Sequence, residues 1–139
     1  MPKKILYLIT QSELGGAQRY VLDMAKGLRS DFDVAVAYGE PGASGWLAHE
    51  LQKENIENYH LPHLKRAISP INDLLALFEI INLIKKIKPD IIHLNSSKIS
   101  ILVALTLPWL KYITMRDTRC AIRVIYTVHG WVFNEPLPT

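Results

Sequence analysis

Five short β-branched and aliphatic runs alternate with longer stretches of helical periodicity, and that alternation leaves the chain few folds to choose from. The runs are Ile5–Thr10, Asp33–Tyr38, Ile56–His60, Ile91–Asn95 and Ala121–Val128. They lack the apolar-in, polar-out alternation of a half-exposed strand and read as strands buried on both faces. Between the first two, Ala17, Tyr20, Val21, Met24, Ala25 and Leu28 fall on one helical stripe. Further on, Leu74, Leu77, Phe78, Ile81 and Ile84 form another, with Glu79, Lys85 and Lys86 off its face; Ser69 and Pro70 suit its cap and first turn. Strands separated by helices run parallel, because a helical crossover returns the chain to the same sheet edge. The expectation is therefore α/β: a Rossmann-like doubly wound parallel sheet with helices on both faces.

A chain of 139 residues supports one domain, spanning 1–139, and not two. An apolar fraction of 49% against 21% charged argues against disorder, and a net charge of +3 is too mild for a nucleic-acid partner. The single Cys120 excludes an intramolecular disulfide and a cysteine-based metal cluster. Ile5–Ile9 is too short for a signal-peptide core. The apolar run Ile99–Leu110 carries Ser100, Thr106 and Pro108 and falls short of the roughly 20 residues a membrane span needs. These features predict a soluble, cytoplasmic protein. Peripheral contact with the inner face of the plasma membrane is a further expectation, suggested by Trp109, Lys111 and Tyr112 beyond the apolar Ile99–Leu107 stretch, although packing on the sheet also accounts for that stretch.

Ligands of open parallel sheets bind beyond the carboxyl ends of the strands, so the loops there are the candidates. The first contains Gly15 and Gly16 just before a helix, where backbone amides and the helix N-terminus can meet a phosphate. It is neither GxGxxG nor a Walker A loop, and a tight turn needing glycine at positive φ explains it equally well. The fourth, Asn95-Ser96-Ser97-Lys98, can bind hydroxyls or a phosphate or simply cap a helix. His93, inside its strand, reads as a hydrogen-bonded core residue. His129 ends the last strand, where an imidazole can donate to a sugar hydroxyl or a leaving group; packing on Trp131 is the structural alternative. Lys65 and Arg66 form a basic pair suited to a solvated surface, an anionic acceptor or lipid headgroups. His49, His60 and His63 lack metal-ligand spacing, and no metal is assigned.

In order and spacing these segments resemble the N-terminal domain of a retaining, family 4 (group 1) glycosyltransferase of the GT-B fold. The resemblance is carried by Lys4–Thr10, Gly15-Gly16-Ala17-Gln18-Arg19-Tyr20-Val21, Lys88–Lys98 and Val124–Asn134. It implies a nucleotide-sugar donor as co-substrate, no cofactor or metal, and a glycan or lipid-linked acceptor of the bacterial surface-polysaccharide type. It further implies that Gly15 and Gly16 approach the donor diphosphate or the acceptor. His129 would contact the transferred sugar, and Asn95, Ser96, Ser97 and Lys98 would line the acceptor side. The family's donor-binding C-terminal domain has no counterpart in the sequence, and no closing helix follows the last strand, so the expected domain is incomplete and nearly inactive alone.

Two other readings stand beside this one. A nicotinamide-dependent oxidoreductase would use the first β-α unit, with Glu40 as the ribose-binding acid. A non-catalytic association module would act through apolar surface left exposed by an unfinished sheet.

Overall fold

The computed structural model describes residues 1–114 and 121–129. The chain runs β1 (Lys4–Ile9), α1 (Gly16–Leu28), β2 (Asp33–Tyr38), a 3-10 turn (Gly42–Ser44), α2 (Trp46–Lys53) and β3 (Glu57–His60). It continues through α3 (Pro70–Ile87), β4 (Ile91–Leu94), α4 (Ser97–Thr114) and β5 (Arg123–Tyr126). The five strands form one sheet in the order β3-β2-β1-β4-β5, and every pairing is parallel. The direction of winding reverses between β1 and β4, the switch point at which such sheets open a crevice.

Alternate side chains of the central strands feed two cores. Ile5, Tyr7, Ile9, Val34, Val36 and Tyr38 meet Val21, Leu22 and Ala25 of α1 and Leu47, Ala48 and Leu51 of α2. Leu6, Leu8, Ala35, Ala37, Ile92 and Leu94 meet α3 and α4 on the opposite face. Burial on both faces explains why the sequence shows no alternation, and each fully buried leucine or isoleucine contributes about 1.5–3 kcal/mol.

The expected stripe of α1 lies toward the sheet, but that of α3 does not. The side chains buried on α3 are Ala76, Ile80, Leu83, Ile84 and Ile87, whereas Leu74 and Phe78 are exposed. The segment Leu74–Ile84 is apolar on nearly every side, so its periodicity leaves the phase open; the small Ala76, which allows close approach to the sheet, marks the true inner face. The helix does begin after Ser69 with Pro70 in its first turn, though the Ser69 hydroxyl accepts from Asn72 Nδ2 rather than from the backbone. Helix α4 runs through Pro108 to Thr114. Cys120 and 130–139, including Trp131, lie outside the described residues.

Three glycines are required sterically. A Cβ on Gly39 would collide with the carbonyl oxygens of Leu64 and Thr10, and one on Gly45 with the Ser12 hydroxyl. Gly42 has φ +78 and sits against the His60 ring.

Candidate active site at the sheet switch point

The carboxyl ends of β1, β4 and β5 bring Thr10, Asn95, Ser96, Thr127 and His129 together, with Tyr20 from α1 beside them. Thr10 and Ser96 join their hydroxyls at 2.6 Å, and Ser96 Oγ also accepts the Thr10 N–H at 3.2 Å, which fixes the first loop against the fourth. Ser12 is buried beyond Thr10. Its hydroxyl donates to Gly42 O, its N–H to Glu40 O, and its own carbonyl accepts the Leu47 N–H. The loop before α1 is thus anchored at its base, with Gly15 and Gly16 at its far end.

Neither glycine is there for backbone strain. Gly15 is extended (φ −165, ψ 176), a conformation open to any residue. A Cβ on Gly16 would meet nothing within 4 Å, and one on Gly15 only the movable end of Gln18. The positive-φ explanation offered for this pair therefore fails. What remains is a helix start whose first N–H groups meet no acceptor among the described residues, a place where a ligand can approach the backbone.

Asn95 organises the centre. It is 2% exposed, and its Nδ2 donates to the His93 carbonyl at 3.0 Å. Because that carbonyl can only accept, the amide orientation is fixed and Oδ1 faces His129 Nε2 at 3.1 Å. Oδ1 in turn can only accept, so Nε2 carries the proton. The neutral His129 ring then has Nδ1 as its acceptor, with no hydrogen-bond partner among the described residues. The Tyr20 ring meets the His129 imidazole edge-on at 4.8 Å between centroids, and partial burial holds the His129 pKa below its ordinary value. The unprotonated ring is thereby favoured near neutral pH.

His93 is a core histidine, as its position in the strand suggested. Its Nε2 lies 2.6 Å from Thr127 Oγ1, and its ring packs against Tyr7 at 5.0 Å. Burial, and secondarily the nearby His129, lower its pKa; burial, with Tyr20 beside it, pushes Tyr7 up to about 12. The folded state disfavours protonated His93, whereas the unfolded chain binds that proton near the ordinary histidine value. The associated stability is complete above that value and is lost as pH falls toward the lowered folded pKa. The unfolding midpoint is expected to drop between pH 7.5 and 5.5, and His93→Gln to flatten that slope; an unchanged slope in a folded variant would contradict this assignment.

The remaining candidates divide. Ser97 is exposed at the start of α4, with its hydroxyl 3.3 Å from Tyr126 Oη. The Lys98 ammonium donates to Lys65 O (2.5 Å) and Ala67 O (2.6 Å) and forms an ion pair with Asp73 Oδ1 (2.7 Å), so its charge is compensated within the protein. The Lys65 and Arg66 side chains are exposed, and Arg66 N–H donates to the Glu40 carboxylate at 2.7 Å. That bond ties Glu40, the acid a nicotinamide ribose would need, to the neighbouring loop. His63 pairs with Glu79, and no group of three or more metal-ligating side chains occurs among the described residues. The sequence placed Tyr20 on a helical stripe without tying it to the site, and left the Asn95–His129 pairing unremarked. Knowing that β4 and β5 are neighbours would have brought the latter two residues together.

In a doubly wound parallel sheet the crevice at the switch point is where ligands bind, and His129 lies at that edge. The chain belongs to Glycosyltransferase Family 4, whose pattern it matches over residues 14–138. It is 32% identical over 133 residues to the UDP-Gal:alpha-D-GlcNAc-diphosphoundecaprenol alpha-1,3-galactosyltransferase of Escherichia coli, covering 95% of this chain and 31% of that protein. Among solved structures, Anabaena Alr3699/HepE in complex with UDP and glucose superposes with a TM-score of 0.63 at 20% identity, over 92% of this chain and 30% of that one. A glycosyltransferase from Rickettsia africae ESF-5 gives 0.63 at 24% identity, over 98% and 32%. The sheet is thus the Rossmann-like fold of GT-B glycosyltransferases. The chain spans about a third of the length of these relatives.

Proposed function

We propose that this domain forms the acceptor side of a glycosyltransferase that moves a hexose from a nucleoside-diphosphate sugar to a polyprenol-diphosphate-linked glycan. The observation that carries this reading is the Asn95–His129 pair beside the open Gly15–Gly16 helix start. In this reading His129 Nδ1 accepts a hydrogen bond from a hydroxyl of the transferred sugar. An oriented imidazole there holds the sugar while positive charge develops at its anomeric carbon. The backbone N–H groups at Gly15 and Gly16 receive a diphosphate oxygen, and the α1 dipole adds to their attraction. Ser97 and the exposed Lys65 and Arg66 lie on the acceptor side. The 32% identity to an enzyme named for a diphosphoundecaprenol acceptor supports the acceptor class. In this reading the donor-side groups belong to a second, donor-binding domain, and catalysis requires both.

The test supplies radiolabelled UDP-hexose and polyprenyl-diphosphate-GlcNAc to the chain alone and to the chain joined to such a domain. Transfer by the joined protein only is expected. A joined, folded protein that delivers sugar to no polyprenol-linked acceptor would overturn the acceptor assignment.

A further inference from the structure

The segment between β3 and α3, residues 61–69, is irregular, yet its backbone is held along its whole length. Leu61 and Leu64 are buried in the core, the Leu61 N–H donates to Tyr38 O, and Leu64 O accepts the Glu40 N–H. Three charged side chains from three other elements reach the same stretch of backbone. The Glu40 carboxylate, just beyond β2, accepts the Arg66 N–H at 2.7 Å. The Glu79 carboxylate of α3 accepts the His63 N–H at 3.3 Å and pairs with the His63 ring. The Lys98 ammonium, in the first turn of α4, donates to Lys65 O and Ala67 O. Asp73 closes the set, pairing with Lys98 through one oxygen and accepting the Ser69 N–H at 3.3 Å through the other.

A surface loop can leave its polar backbone to water, and fixing it costs about 1–2 kcal/mol per residue. Here groups of both signs offset that cost, carboxylates on the N–H groups and an ammonium on the carbonyls. What the loop turns outward is its own basic pair. The Lys65 and Arg66 side chains are exposed, and neither meets a carboxylate within ion-pair reach among the described residues. Side chains suited to an anion thus stand on a backbone ordered before any anion arrives, which removes part of the ordering cost from binding. The loop follows β3 at the carboxyl edge of the sheet and meets the start of α4, where Lys98 is three residues beyond Asn95.

We propose that Lys98 and Glu40 are positioning residues for the acceptor: they fix the backbone from which Lys65 and Arg66 meet its diphosphate, and touch no substrate themselves. This rests on the reading of the acceptor as a polyprenol-diphosphate-linked glycan. It gives Lys98 a different part from the acceptor lining that the family resemblance implies, because its charge is met by Asp73 in a pair whose side chains are only 18% and 22% exposed. The opposite charges of Lys98 and Glu40 separate positioning from plain electrostatics. Removing a cation weakens the attraction for a diphosphate, and removing an anion strengthens it. Removing either support from the loop weakens recognition.

The test places Lys98→Met and Glu40→Ala in the chain joined to a donor-binding domain. Each should raise KM for polyprenyl-diphosphate-GlcNAc about tenfold, with kcat and donor affinity within about twofold of the parent. Trypsin, which cuts after Lys65 and Arg66 when the loop leaves its place, should cleave there at least about tenfold faster in both variants, with an unchanged far-UV spectrum. Equal cleavage rates in parent and variants would overturn the positioning role while the acceptor reading stands. So would KM shifts of opposite sign, the Coulombic result, or a fall in kcat at unchanged KM. A parent that transfers no sugar to this acceptor would overturn the acceptor reading and with it the ligand named here; the tryptic rates, which need no substrate, would still decide whether the two residues hold the loop.

Discussion

Gly39→Ala is expected to destabilise the fold by about 3 kcal/mol, lowering the unfolding midpoint by roughly 10 °C, while Gly16→Ala leaves it unchanged or slightly raised. Gly39 follows β2, where the chain passes between the carbonyls of Leu64 and Thr10. Both oxygens belong to backbone that is itself fixed: Leu64 O accepts the Glu40 N–H, and Thr10 is bonded to Ser96. An added methyl group therefore has no flexible neighbour to displace. At Gly16 the added methyl points into open space at a helix start, and alanine is the better helix former. If that space belongs to a diphosphate, Gly16→Ala should instead weaken donor binding about tenfold in the protein joined to a donor domain. Thermal unfolding and donor titration separate the two glycines: equal loss of stability at both positions would refute the steric assignment of Gly39, and unaltered donor affinity would refute the role of Gly16.

His129→Ala should lower kcat/KM of the joined protein by about 100- to 1000-fold, a size typical of removing a group that acts on the reacting centre. Asn95→Asp gives a different signature. A carboxylate facing Nε2 would favour the imidazolium and raise the pKa of His129. With Nδ1 then protonated, the ring can no longer accept from a sugar hydroxyl, so the acid limb of the pH profile should move to higher pH while activity survives on the alkaline side. A folded variant with an unshifted limb would show that the free acceptor position is not what the reaction uses.

The three central strands were legible because each is an aliphatic run buried on two faces, and the observed bounds of β1 and β2 lie within a residue of those read from the residue pattern. The expectation of burial on both faces fails for β3 and β5, which lie at the sheet edges, β3 exposed or half-buried and β5 exposed throughout. Two things were not legible, for different reasons. The inner face of α3 is hidden by a surplus of apolar residues: Leu74 and Phe78 fit the periodicity as well as Ile80 and Leu83 do, and only the presence of the sheet separates them. Lys98 read as a ligand-binding cation because its partners, Lys65 O, Ala67 O and Asp73, come from segments about 25 to 33 residues earlier. A charge has no pattern in one dimension that announces its partner. Gly15 and Gly16 were visible as a pair, yet the sequence cannot tell whether a glycine answers a torsion, a close neighbour or a vacancy.

The Lys98 ammonium also acts as a mechanical joint. Three residues before it, Asn95 sets which His129 nitrogen faces outward; at its other end are the carbonyls of 65–67 and the first turn of α3. The 65–67 loop, the first turn of α3 and the first turn of α4 thus share one cation as a common anchor, three residues from the amide that faces the imidazole.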